Sequence, residues 1–203
     1  FACDPQGRTG GEDILGWNTV IQLARFHHVW VLTDARNQPA IDGARERPSR
    51  LEFIYVAMPR VLQPIEGMPG GIQLAVYVWQ IAAYWVARTL HRRIRFEVFH
   101  HVTYANDWMA SYVGAFLDLP YIRGPGGGAH RVPPSFLSEF SWAGRVGQHA
   151  RSWLQAVFRR DPVFVRGQDP RSKIWWVLDP VAGRRTASMR KRVKQFTIFE
   201  VQQ

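Results

Sequence analysis

Cysteine is almost absent from this chain of 203 residues. Cys3 is the only one, so no internal disulfide can form, and a reducing, cytoplasmic compartment is the expectation. Cys3 has no Cys or His at metal-ligand spacing. Internal repeats and low-complexity tracts are missing, which sets aside solenoids and disordered linkers. The chain opens on Phe1 and a turn, Asp4-Pro5-Gln6-Gly7, with no signal peptide pattern. We expect a true start, including most of a first strand, to lie ahead of it. Charge-free runs are scarce. The longest, Gly67 to Ala87, is interrupted by Pro69, Gly70 and Gly71 and carries Gln73 and Gln80. It reads as a buried helix over Ile72–Arg93, with a membrane span as the lesser reading. Acidic residues are also short, 16 against 26 Lys plus Arg, for a net charge of +10. Such a surplus suits an anionic partner: a phosphate-bearing ligand, nucleic acid or a lipid surface.

What is present is an alternation. Apolar periodicity predicts a helix over Glu12–His27, a strand at His28–Thr33, a second strand at Leu51–Ala57 and the long helix Ile72–Arg93. A strand at Phe96–Val102, a helix at Trp108–Leu117 and a short strand at Tyr121–Arg123 follow, then a helix over Ala143–Phe158. The tail reads as a strand at Ile174–Leu178, a helix at Arg184–Val193 and a last strand at Gln195–Val201. Strands alternating with helices predict an α/β fold, a doubly wound parallel sheet of Rossmann-like type. We expect residues 1–203 to form one domain, with 161–203 its less regular tail. In such sheets ligands gather at the carboxyl ends of the strands. Trp79, Tyr84 and Trp85 of the long helix are expected in the core.

Three segments fall at strand ends. Gly7-Arg8-Thr9-Gly10-Gly11-Glu12 precedes the first helix, where glycines permit close backbone approach and the helix head offers N–H groups to a phosphate. A plain glycine turn with an acidic helix start explains it equally well. It is neither G-x-G-x-x-G nor a P-loop. The second segment ends in His100-His101, where strand alternation can bury one imidazole and turn the other outward. Taken singly, each is more often a polar core residue. The third is Arg123-Gly124-Pro125-Gly126-Gly127-Gly128. Its consecutive glycines can form an anion-binding nest, and Arg123 can supply a bidentate donor. An ordinary surface loop is the alternative.

The first segment, Phe1-Ala2-Cys3-Asp4-Pro5 with Gly10-Gly11-Glu12 and Gly16-Trp17-Asn18, resembles the opening of family-4 glycosyltransferases of the GT-B fold. Gly11 stands where that family usually has Ser, and Leu15 where a Gly often lies. Phe96 to Tyr104 is similar to that family's Phe-Asp-Leu-Val-His-His-Val-Thr-Tyr strand, and Tyr121 to Gly128 to its Trp-Gly-Pro-x-Gly-Gly-Gly loop. The likeness runs, with gaps, from Phe1 to about Trp153, with fainter echoes to Val201.

The resemblance implies the N-terminal, acceptor-side half of a retaining, metal-independent hexosyltransferase. Its donor substrate is a nucleotide-diphosphate sugar, no cofactor is expected, and the acceptor is a lipid-linked or polysaccharide intermediate. The donor-binding domain with its Glu-x7-Glu pair is missing, so this chain alone is expected to be inactive. The resemblance assigns His101 to the catalytic cleft, with Gly10, Gly11, Arg123, Gly124, Gly126, Gly127 and Gly128 on the diphosphate and substrate. A peripheral contact with anionic membrane at the cytoplasmic face, through Arg145, Arg151, Arg159 and Arg160, is a further expectation. The rival reading is a basic nucleic-acid-binding module, which the charge supports equally, although no helix-turn-helix, RNP-like or zinc pattern accompanies it. A nicotinamide-dinucleotide Rossmann domain is disfavoured by the lack of a clean G-x-G-x-x-G and of an acidic residue after the second strand.

Overall fold

A computed structural model describes residues 1–8, 10–45, 47–68, 70–106, 108–128, 132–167, 173–177 and 193–194. The chain forms two compact units, Phe1–Tyr104 and Ala105–Gln203. Both mix helices with small parallel sheets.

The first unit contains helix α1 (Gly11–Ala24), strand β1 (Val29–Asp34), a 3-10 turn (Ala35–Asn37), α2 (Gln38–Asp42), β2 (Leu51–Val56), a second 3-10 turn (Arg60–Ile65), α3 (Gly71–Ile94) and β3 (Phe99–His101). β1 and β2 pair in parallel from Val29 opposite Leu51 to Asp34 opposite Val56. Because side chains alternate along a strand, this pair sends apolar groups to two faces. Val31 and Leu51 join Cys3, Val20 and Ala24, with Trp17 and Phe53 packed around them, so α1 covers one face. Val56 joins Met58, Ala75, Trp79 and Ala83, with Phe1 and Leu32 alongside, so α3 covers the other. Trp79 adds a hydrogen bond from its indole N–H to Val56 O, 2.9 Å.

Elements end where local chemistry stops them. α3 closes at Arg95, which takes φ 60° and donates its N–H to His91 O, a left-handed C-cap. Phe96 then stacks on His91 and lies 5.5 Å from the Trp30 ring, so it packs instead of extending the strand. β3 is therefore the three residues Phe99–His101, shorter than the expected Phe96–Val102. One expectation for α3 is corrected. Trp85 is exposed, with the Arg88 guanidinium 5.3 Å over its ring, and so lies outside the core. Among the described residues no helix is long and apolar enough to cross a membrane.

The second unit contains α4 (Tyr112–Phe116), β4 (Tyr121–Gly126), α5 (Pro134–Leu137), α6 (Trp142–Phe158), α7 (Pro162–Arg166), β5 (Lys173–Val177) and β6 (Val193–Lys194). β5 pairs in parallel with β4, Tyr121 opposite Lys173, and with β6, Trp175 opposite Val193. The helix expected over Trp108–Leu117 begins only at Tyr112. Ser111 caps it by accepting from Gly114 N, and the Met109 carbonyl, which a longer helix would use, is taken by Arg123. Gly114 leaves room for the buried Tyr121 ring, since a Cβ there would lie 2.6 Å from its Cε1. The expected strand at Ile174–Leu178 corresponds to β5. The expected helix at Arg184–Val193, apart from Val193, and the strand at Gln195–Val201 lie outside the described residues.

Candidate functional site

In the first unit the glycine turn is built around Asp4. This buried carboxylate accepts from Gln6 N at 2.8 Å and from Arg8 Nε at 2.5 Å. The turn continues with Gly7 at φ 63°, whose N–H donates to Asp4 O, and Gly10 at φ 124°, whose N–H donates to Gly7 O. Side chains other than glycine seldom adopt either φ. Gly10 is the N-cap of α1 and supplies no side-chain cap, while Glu12 and Asp13 place acid in the first turn. A Cβ on Gly10 or Gly11 would meet nothing within 4 Å. The turn is therefore open at both of these positions.

Five residues further along, α1 is pressed close to its neighbours. A Cβ at Gly16 would collide with the Ala2 carbonyl oxygen and come 3.0 Å from Thr103 Cγ2. Residues 1–4 run beside the end of β1: Phe1 O accepts from Asp34 N, Thr33 Oγ1 and Asn37 Nδ2. On the other side Ala2 N donates to Thr103 Oγ1, 3.2 Å. Glu12 Oε2 accepts from Tyr104 N at 3.1 Å, which ties the head of α1 to the residues leaving β3. The turn at Gly10–Gly11 and the strand bearing His101 thus share one edge of this unit. Tyr104 itself sits at φ 52°, a conformation uncommon outside glycine and asparagine. Burial, then the Glu12 carboxylate, pushes its phenol above the usual value.

His100 and His101 are both half-buried, so burial does not divide them as strand alternation suggested. The Asp34 carboxylate at the end of β1 is buried and grips Arg36 through both oxygens, at 3.0 Å (Nε) and 2.7 Å (Nη2). Arg36 Nη1 reaches Glu66 Oε2 at 2.7 Å. This acidic–basic–acidic chain carries no apolar periodicity and was not singled out from sequence. Only the Asp-x-Arg spacing, an Asx-type start to the 3-10 turn, signals it.

In the second unit the Arg123 guanidinium is buried. Its Nη2 donates to Asn106 O and to Met109 O, the latter at 2.6 Å. The side chain expected to fork onto a phosphate is thus engaged with the backbone ahead of α4. The glycine loop after it is shaped by close contacts. Gly124 and Gly128 take φ 123° and 92°, and a Cβ at Gly128 would lie 3.0 Å from Trp108 Nε1 and 3.1 Å from Asn106 Oδ1. The buried Gln155 side chain of α6 donates to Gly128 O at 2.9 Å. Gly127 bridges Asn106, and its Cβ direction is open. Gln155 was also missed by the sequence reading, since a lone glutamine in a helix has no pattern.

Among the described residues no group of three His, Cys, Asp or Glu side chains could hold a metal ion. No family model, no curated protein and no solved structure matches this chain.

Proposed function

We propose that this chain is the acceptor-side half of a retaining glycosyltransferase that takes a nucleotide-diphosphate sugar as donor, with a hexose passing to a lipid-linked or polysaccharide acceptor. The observation that carries the reading is the edge formed by Gly10, Gly11 and the residues leaving β3. An open glycine turn heads a 14-residue helix with no side-chain cap. A His-His strand end lies next to it in the fold, joined through Glu12 and Tyr104. Helix heads of this kind suit a diphosphate, and developing leaving-group charge is best met by fixed N–H groups. The two helices on opposite faces of the β1–β2 pair fit a doubly wound sheet, the finer fold this reading requires. His101 would orient sugar or acceptor. Arg123 becomes a positioning residue that holds the backbone beneath the glycine loop of the second unit. The proposed location is cytoplasmic, at the inner membrane face.

The coding sequence that follows this chain provides the direct test: a segment with Glu-x7-Glu is expected, and an unrelated neighbour counts against the reading. The purified chain should transfer no sugar when assayed with a panel of nucleotide sugars, because a cleft between two domains cannot align both substrates when one domain is missing. Sustained turnover by the chain alone would refute the half-enzyme assignment. Retention on duplex DNA at physiological salt, without nucleotide-sugar binding, would favour the nucleic-acid module instead.

A further inference from the structure

Helix α6 is amphipathic in the reverse sense to a helix that packs on a core. At about 100° per residue, Trp142, Val146, Trp153 and Val157 share one narrow arc, with Leu154 further round. This arc faces solvent: Trp142 is 75 % and Trp153 66 % exposed, and Val146, Leu154 and Val157 are exposed as well. Away from the arc, Gly144, Gln148, Ser152 and Gln155 are buried or half-buried, as are Ala156 nearer its edge and Phe158, whose ring lies 5.5 Å from that of Trp108. Gln155 anchors that side by its bond to Gly128 O. Small and polar residues together with Phe158 thus face the protein, and the Trp142–Val146–Trp153–Val157 arc is left to water, an arrangement monomeric proteins seldom tolerate over a continuous patch.

The charge around the arc says what covers it. Arg145 and His149 border it on one side and Arg160 follows its end, while Arg151 and Arg159 lie on the far side of the helix axis. Trp142 to Arg160 contains no Asp or Glu. Arg145, His149, Arg151 and Arg160 are exposed. Tryptophans on the apolar side, flanking arginines and no acidic residue are the features of a helix lying in the plane of an anionic bilayer. A helix of 17 residues, about 25 Å long, lies flat there without spanning. We infer that α6 docks the chain on anionic lipid, its Trp142–Trp153–Val157 face in the headgroup–acyl boundary and its arginines on the phosphates. This goes beyond a diffuse basic surface, because it makes apolar insertion of one named face necessary. It stands apart from the glycosyltransferase reading and survives if the chain transfers nothing.

The chain is sedimented with vesicles of phosphatidylcholine alone and with vesicles containing phosphatidylglycerol, at low and high salt, beside a duplex-DNA retention assay. Binding to the anionic vesicles only, weakening with salt, is expected. Trp142→Ser/Trp153→Ser should lower vesicle partitioning about tenfold or more while leaving DNA retention unchanged. Both positions are exposed, so circular dichroism should stay native; if it does not, Val157→Asp at a single exposed site carries the same comparison. Three results would overturn the inference: no sedimentation with any vesicle, sedimentation undiminished in the variant, or a dimer in lipid-free ultracentrifugation that the same variant abolishes, which would make a second copy the occupant.

Discussion

Replacing Arg123 by Met separates a positioning role from a ligand-binding one. Methionine keeps most of the stem volume, so the cavity left in the second unit is small, but the guanidinium is gone. Asn106 O and Met109 O, both served by Nη2, each lose a charged donor. A buried acceptor left without its donor costs about 1–3 kcal/mol. Asn106 O keeps the Met109 N–H as a donor, so this cost falls on Met109 O, offset in part because a cation no longer has to be desolvated. A net loss of about 2 kcal/mol follows, or about 4–8 °C in Tm for a chain of this length. The start of α4 should loosen with it, since its preceding turn is held from β4. Differential scanning calorimetry of wild type and Arg123→Met, each with and without a nucleotide-diphosphate sugar, measures both quantities. The expected result is a large drop in Tm of the free protein. A variant that melts within about 1 °C of wild type yet loses ligand-induced stabilisation would refute this argument, and would return Arg123 to the phosphate role its sequence position suggests.

Gly11→Ala should leave stability unchanged or raise it by up to about 1 kcal/mol, because Gly11 is helical with open space at its Cβ and alanine is the better helix former. Any loss of nucleotide-sugar affinity in that variant reports close approach of a ligand; full affinity would reduce the turn to a plain helix start. Gly16→Val should destabilise the first unit severely by forcing α1 away from Ala2 and Thr103, and a native Tm in urea or heat would contradict the packing described here. Burial pushes the Cys3 thiol up to about 12 from 9.0. An acid whose folded pKa is raised stabilises the fold below its unfolded pKa and loses that contribution as pH rises. Between about pH 9 and 12 stability should fall by about 1.4 kcal/mol per unit from this group. Urea titrations of wild type and Cys3→Ala check it: the mutant's slope should be shallower in that window, and equal slopes would refute the assignment.

The sequence by itself determined the order of elements and much of their placement. Strands were expected at His28–Thr33 and Leu51–Ala57, close to the observed Val29–Asp34 and Leu51–Val56, and the two faces of the pair are covered by α1 and α3. The glycines before α1 marked a turn, and Gly10 does take a φ that favours glycine. Local periodicity and turn chemistry act over a few residues, so they are visible in a few residues. Tertiary structure alone decided three other things. α4 starts at Tyr112 because a guanidinium on β4 occupies the Met109 carbonyl, a partner distant in sequence that no local propensity registers. Arg123 looked like a ligand's donor because arginine beside glycines fits phosphate, but which acceptor it meets depends on what packs over it. α6 was legible as a helix over Ala143–Phe158, but helical propensity is silent on which face turns inward. The inward face is the one on which Gln155 reaches the carbonyl of Gly128 and Phe158 packs on Trp108, contacts formed only once the glycine loop and the helix are brought together.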